Sequence, residues 1–372
     1  MKTQSVETIG SRRELFVDDF MIAELSGGAV RRLHEPRSRE IVLVHDRSWE
    51  GNTSGYHTFF QDGGKVRVYY RGSQHNERMR GGSVAHQLTC MAESDDGIHF
   101  YRPSLGVVER EDALRNNIVH DGPARHNFAP FRDARPDCPP GERYKALGGS
   151  KALGGLFAYV SADGIDWTQG TEKPVATDGV FDSQNLAFWD GMRSEYRVYY
   201  RDFKKDGGKD KPGRRDIKTA TSSDFIHWTP GTWLDYGGAP DEQLYTNQVL
   251  PCPRAPHLLL GFPTRYLPDR GQITEGLLMS SRNGVEFQRW GEALIRPGPN
   301  LERWGNRCNY IWHGLIETPS DLPGAPNEWS LYSTEGYYEG AYNRVRRYAI
   351  RQDGFVSVNA PLAGGEMVTR PF

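Results

Sequence analysis

The chain has 372 residues with 46 Lys and Arg against 48 Asp and Glu, a formal net charge of -2, so no basic field for nucleic acid is available. Its 42 Gly, 23 Pro and 12% aromatic residues, with few long helical periodicities, indicate many short strands and turns, an all-β protein. No run of about 18 apolar residues occurs, which excludes a membrane helix, and the start, MKTQSVETIGSRRELF, has no apolar h-region of a signal peptide.

Cytoplasmic residence is therefore expected, or secretion if a leader preceded the chain. Cys90, Cys138, Cys252 and Cys308 lie far apart with no CxxC pair, which argues against a zinc site and suits free thiols.

The elements follow one another in a repeating order. An N-terminal segment, residues 1–45, contains ELFVDDFMI, where Asp18 and Asp19 fit a strand-terminal turn. Five strand pairs come after it: HTFFQDGGKVRVYYRG, NFAPFRDARPDCPPGERYKALGG, NLAFWDGMRSEYRVYYRD, NQVLPCPRAPHLLLGFP and YIWHGLIETPSDLPGAPNEWSLYST. Each is followed by a turn phrase: SDDGIHF from Ser94, SADGIDW from Ser161, SSDFIHW from Ser222, SRNGVEF from Ser281 and the looser RQDGFVS from Arg351. These phrases join a strand end, a tight Asp/Asn-Gly turn and a new strand with apolar residues at every second position.

Four antiparallel strands per unit, in five units, predict a five-bladed β-propeller, which leaves only short protected edges. A single domain spanning 1–372 is expected, with blades at about 46–110, 111–173, 174–235, 236–298 and 299–360. Strand alternation then puts the Asp-Gly turns on one face and the varied polar loops on the other, where function is expected. The charged run FKKDGGKDKPGRRD, residues 203–216, is such a loop and reads as a solvated hairpin tip or, functionally, a lid.

Polar residues collect where the first strand of each unit begins. The stretch GVFDSQNLAFWDG holds Asp182, Ser183, Gln184 and Asn185; the other units offer Trp49, Glu50, Tyr56 and His57, then His126 and Asn127, then Glu242, Tyr245 and Asn247, then Trp304, Arg307 and Asn309. Arg265 and Glu335 follow on the loops. Amides and Arg hydrogen-bond sugar hydroxyls, aromatic faces cover the apolar side of a sugar ring, and paired carboxylates perform acid/base chemistry at an acetal. No GxGxxG, GxxxxGK[ST] or GxSxG motif is present, which disfavours nucleotide binding and an esterase. A carbohydrate substrate is the expected partner, with no cofactor, no metal, no membrane and no nucleic acid.

This repeat, with carboxylates opening its first strands, resembles the invertase, levansucrase and arabinanase superfamily of glycoside hydrolases, families 32, 43, 62 and 68. The resemblance covers nearly the whole sequence at the level of the fold. It implies a glycosidase in which three acidic residues from separate blades act as base or nucleophile, transition-state stabiliser and general acid. Asp182 matches the first of these positions, Glu242 in DEQLYTNQV resembles the proton donor, and Glu50 is the nearest carboxylate upstream of the first unit. The sequence departs from the pattern in two places. SGYHTFFQDGG stands where an Asp-Pro or Asn-Asp-Pro start is usual, and HNFAPF has Asn127 where an acid is common. A glycoside phosphorylase, with Arg265, Arg307 and His126 holding phosphate, and a non-catalytic carbohydrate-binding propeller are the alternatives.

Overall fold

A computed structural model describes residues 6–75, 87–110, 115–205 and 213–372. It is an all-β structure in which the only helical segments among the described residues are four three-residue 3-10 turns.

Five four-stranded antiparallel paths succeed one another along the sequence. The first comprises Gly55–Asp62, Lys65–Gly72, Leu88–Ser94 and Phe100–Tyr101, with Ile118–His120 also pairing to its third strand. The second comprises Ala129–Arg132, Tyr144–Ser150, Gly155–Ser161 and Thr168–Gln169, and the third Leu186–Asp190, Glu195–Lys204, Arg214–Ser222 and Thr232–Trp233. The fourth comprises Leu250–Cys252, Ala255–Gly261, Met279–Ser281 and Phe287–Arg289. The fifth takes Ile316–Thr318, Glu328–Glu335 and Arg344–Arg351 from its own unit and its outer strand, Arg37–Val44, from the N-terminal segment. The strand after RQDGFVS, Val356–Asn359, pairs instead with Val30–Leu33. Joining the two ends of the sequence in one sheet removes an exposed edge.

The turn phrases are self-contained. In the first, the backbone N–H groups of Asp96 and Gly97 donate to Ser94 Oγ, and those of Ile98 and His99 donate to Asp96 Oδ1. The same pattern recurs at Ser161 and Asp163, at Ser222 and Asp224, and at Ser281 and Asn283. A short polar side chain that bonds the backbone two residues on is the chemistry that makes Asp and Asn turn formers.

The turns also join one sheet to another. Tyr69 of the first sheet donates to the Gly164 carbonyl of the second, Tyr199 of the third to Gly284 of the fourth, and Tyr332 of the fifth to Gly97 of the first. Gly97 and Gly164 adopt φ of 73° and 80°, and a Cβ at Gly164 would lie 2.5 Å from the Tyr69 hydroxyl. Only glycine meets both demands there. The fifth and first sheets are bonded as well, the Phe59 amide donating to the His313 carbonyl at 2.8 Å. Between these contacts lie the buried apolar clusters, rich in Leu, Val, Phe and Tyr.

Candidate functional site

The starts of the first strands converge, but most of their amides are turned inward. Asn127 donates to the Phe181 and Ser183 carbonyls at 2.6 and 3.2 Å and accepts from the Gly149 amide at 3.0 Å. Asn247 donates to the carbonyls of Gln184 and Tyr199, Asn309 to those of Thr274 and Arg303, and Asn185 to those of Phe181 and Ser183. Gln184 donates to Thr58 Oγ1 at 2.8 Å and accepts from Gln248. All are buried. Expected as sugar ligands, these amides instead satisfy the backbone where strands begin without partners, since a buried carbonyl left unpaired is costly.

Four other expected residues are held by partners of their own. His57 is fully buried, stacks on Tyr70 and contacts His45 at 3.0 Å; burial pushes its imidazole well below the ordinary value. Trp49 donates to Asn117 Oδ1 at 2.9 Å and packs on the core. Glu335, 1% exposed in its side chain, is ion-paired to Arg346 at 2.6 Å. Trp304 is 48% exposed and donates to the Gly298 carbonyl.

Two of the three expected catalytic acids sit in closed ion-pair networks. Glu50 has no side-chain exposure and accepts from Tyr70 Oη at 2.5 Å and from Arg102 at 2.8 and 2.9 Å. Burial alone would raise its carboxyl, yet His45, 3.9 Å away and electrostatic at that range, and Arg102 outweigh it and hold the group at about 2. Glu242 is gripped on both oxygens, by Arg265 at 2.9 Å on one and by Arg289 on the other. Arg265 is shared with Glu275. Asp18 pairs likewise with Arg282, in a turn as expected.

Asp182 stands differently. Its side chain is 61% exposed, with Oδ2 3.1 Å from Arg201 Nη2 and Oδ1 3.5 Å from His126 Nε2. Desolvation pulls its carboxyl upward, but His126 and the Arg201 guanidinium outweigh it and hold the group below its ordinary value. Burial lowers His126 in turn, against the pull of Asp182 and with the help of Arg71 and Arg307. Around this pair lie Tyr56, whose ring is 5.6 Å from that of His126 and 4.6 Å from the Arg71 guanidinium, and Tyr245, which bonds Arg307 at 3.1 Å. Tyr337 bonds Arg71 at 2.7 Å. These residues come from the first, second, third, fourth and fifth units.

The backbone is strained at the same place. Tyr56, Phe181 and Arg307 take φ of 58°, 58° and 63°, a left-handed conformation that side chains of this size rarely adopt and that clusters at functional sites.

Arg71, Arg201 and Arg215 are site residues beyond those expected. A signal for two of them exists: the pentapeptide RVYYR occurs at 67–71 and again at 197–201. In both copies the middle Tyr bonds the glycine carbonyl of the next sheet's turn, so the final Arg emerges at the opposite end, beside the strand starts.

A cavity of about 660 Å³ lies elsewhere, lined by Phe59, Phe60, Asp95, Gly314, Ile316 and Trp329. It is at the far ends of the first strands and has no arginine lining. Of the run 203–216, expected as a hairpin tip or lid, residues 203–204 and 214–216 belong to the paired strands Glu195–Lys204 and Arg214–Ser222, and 206–212 lie outside the described residues. Among the described residues no group of three His, Cys, Asp or Glu could hold a metal ion, all four cysteines are unpaired, and no helix is long and apolar enough to cross a membrane.

No family model matches the sequence, and no curated protein matches it either. Solved structures do match its fold. A glycosyl hydrolase from Bacteroides ovatus aligns with a TM-score of 0.55 at 16% identity, over 87% of this protein and 97% of that one. The catalytic domain of a Coprinopsis cinerea GH62 alpha-L-arabinofuranosidase aligns with a TM-score of 0.53 at 10% identity, over 85% and 97%. A structure from a study of GH130 mannoside phosphorylases and glycoside hydrolases that target beta-1,2 mannosidic linkages in Candida mannan aligns with a TM-score of 0.51 at 17% identity, over 93% and 99%. The protein thus shares its fold with these solved glycoside hydrolases.

Proposed function

We propose that the protein is a glycosidase, that its five sheets close into one five-bladed β-propeller domain spanning 1–372, and that the Asp182 cluster is its active site. The fold likeness supports the first two statements. The observation that carries the third is Asp182 itself, an exposed carboxylate held ionised among groups from every unit, next to strained backbone. Glu50 and Glu242 have no such freedom.

An ionised carboxylate suits one of two roles at an acetal. Asp182 either takes a proton from the attacking water or bonds to the anomeric carbon, forming a glycosyl ester that water then cleaves. The leaving oxygen needs a proton from a different group. Glu242 was expected in that role, but its two guanidinium partners occupy it; we assign the proton to His126 in its protonated form, 3.5 Å from Asp182. The rings of Tyr56 and Tyr245, both buried, pack against the arginines of the cluster.

The test is a screen of the protein against aryl glycosides and natural oligosaccharides, furanosides and pyranosides alike, with and without phosphate, beside Asp182→Asn. Sugar release by the wild type alone supports the reading; turnover that survives in Asp182→Asn overturns the assignment. Turnover that requires phosphate would mean phosphorolysis, a reading favoured by guanidiniums near Asp182 that have no acidic partner among the described residues.

A further inference from the structure

The charge around Asp182 does not balance. Arg71, Arg201, Arg215 and Arg307 surround the cluster, and among the described residues the only ion pair any of them makes is that of Arg201 with Asp182. Arg201, Arg215 and Arg307 lie 4.9, 5.2 and 5.7 Å from the centre of the Tyr245 ring, so three guanidiniums share one aromatic residue. Arg71 covers Tyr56 on the other side.

Their donors are also left over. Arg201 is 2% exposed, yet its Nε and Nη1 have no partner among the described residues. Nε of Arg71, Arg215 and Arg307 is buried and unpartnered too, as is that of the paired Arg289, so what sets these three apart is that no carboxylate pairs with them among the described residues. Among the described residues Arg307 bonds only phenols, Tyr245 at 3.1 Å and Tyr337 at 3.5 Å. Arginines buried elsewhere in the fold are paired: Arg289 with Glu242, Arg347 with Glu40, Arg197 with Glu195. A buried guanidinium without a counter-charge is expensive, so a fold that pairs the others and leaves these open has a negative group missing here.

Resting on the reading of this cluster as the active site, we infer that Arg71, Arg201, Arg215 and Arg307 form a receptor for an oxyanion, and that the ligand is anionic: an acidic sugar bound through its carboxylate, or inorganic phosphate. The fork of a guanidinium matches two oxygens of such a group, and a site shielded from water strengthens the bond. Neutral sugars alone would leave Arg71, Arg215 and Arg307 without a counter-charge.

The test is calorimetry on the full-length wild-type protein with uncleavable methyl thioglycosides of glucuronic and galacturonic acid, their neutral glucose and galactose counterparts, and inorganic phosphate, each at low and high NaCl. Expected is binding of an acidic sugar or of phosphate at least ~10-fold tighter than any neutral sugar, weakening as salt rises. Arg307→Gln and Arg215→Gln should each lose ~10-fold or more of that preference. Their melting temperatures should not fall, because each removes a cation with no acidic partner. Uronide binding identifies the sugar as the source of the anion, and phosphate binding alone identifies phosphate. The inference is overturned if neither binds, if neutral sugars bind as tightly, or if both Gln variants keep the preference. Arginine-dependent binding with no turnover of any glycoside would sink the glycosidase reading while leaving the receptor intact.

Discussion

Arg201 donates to Asp182 across 3.1 Å, the arginine from a second strand and the aspartate from the segment leading into the first strand of the same sheet. The arginine is buried and the carboxylate is exposed, 2% against 61% in side-chain exposure. A cation fixed in the wall thereby helps hold an exposed carboxylate in its ionised form.

Replacing Asp182 by Asn keeps the shape and one acceptor for Arg201 but removes the charge. Turnover should drop by about 10³-fold, with a melting temperature close to the wild type. Comparing kcat on correctly folded protein, checked by circular dichroism, measures this directly.

The pH profile separates the roles of the pair. Asp182 ionises below the ordinary carboxylate range, and His126 titrates below its ordinary 6.5. If protonated His126 gives the proton, kcat/KM falls as pH rises through that lowered value, and His126→Asn removes this limb. A profile that instead climbs over the same range would make His126 a base and overturn the donor assignment.

Glu50 should matter to stability and not to chemistry. Its carboxyl lies at about 2 in the folded protein against an ordinary 4.5. A lowered folded value means a stabilising contribution that is complete above pH 4.5 and fades as pH falls toward 2. Glu50→Gln strands Arg102 beside Tyr70 and should cost about 3–5 kcal/mol at neutral pH. Urea unfolding at several pH values should show the acid-side slope reduced in the variant.

Glu242→Gln is the matching test of the other network. With Arg289 and Arg265 losing their shared carboxylate, the melting temperature should fall, while turnover per folded molecule should stay within a few-fold of the wild type. A loss approaching that of Asp182→Asn, in a variant that melts normally, would return Glu242 to the catalytic role.

Asn127→Ala removes two hydrogen bonds to the segment before the third sheet and one from the Gly149 amide of the second. About 1–3 kcal/mol of stability should be lost, since two carbonyls and an amide are left buried without partners. Denaturant titration reads it, and an unchanged midpoint would show that water replaces the amide.

The repeat was legible in the sequence because its signal is local. Ser-x-Asp-Gly phrases close their own hydrogen bonds within a few residues, and alternating apolar residues declare a strand wherever it packs. Asp182 was legible too, as a carboxylate opening an apolar strand. The neighbouring amides carried the same polar signal for another reason: Asn127 and Asn247 face carbonyls far along the sequence, so sequence alone does not separate a ligand from a staple. Glu50 and Glu242 look as available as Asp182 until Arg102, 52 residues from Glu50, and Arg289, 47 from Glu242, are brought against them. The pentapeptide RVYYR was present twice, but the direction in which its last arginine points depends on the tyrosine anchored in the next sheet. Strand periodicity and turn chemistry are properties of adjacent residues, and they determine the all-β repeat. Charge pairing and burial are properties of residues that meet only after the sheets pack, and they decide which polar groups remain free to act.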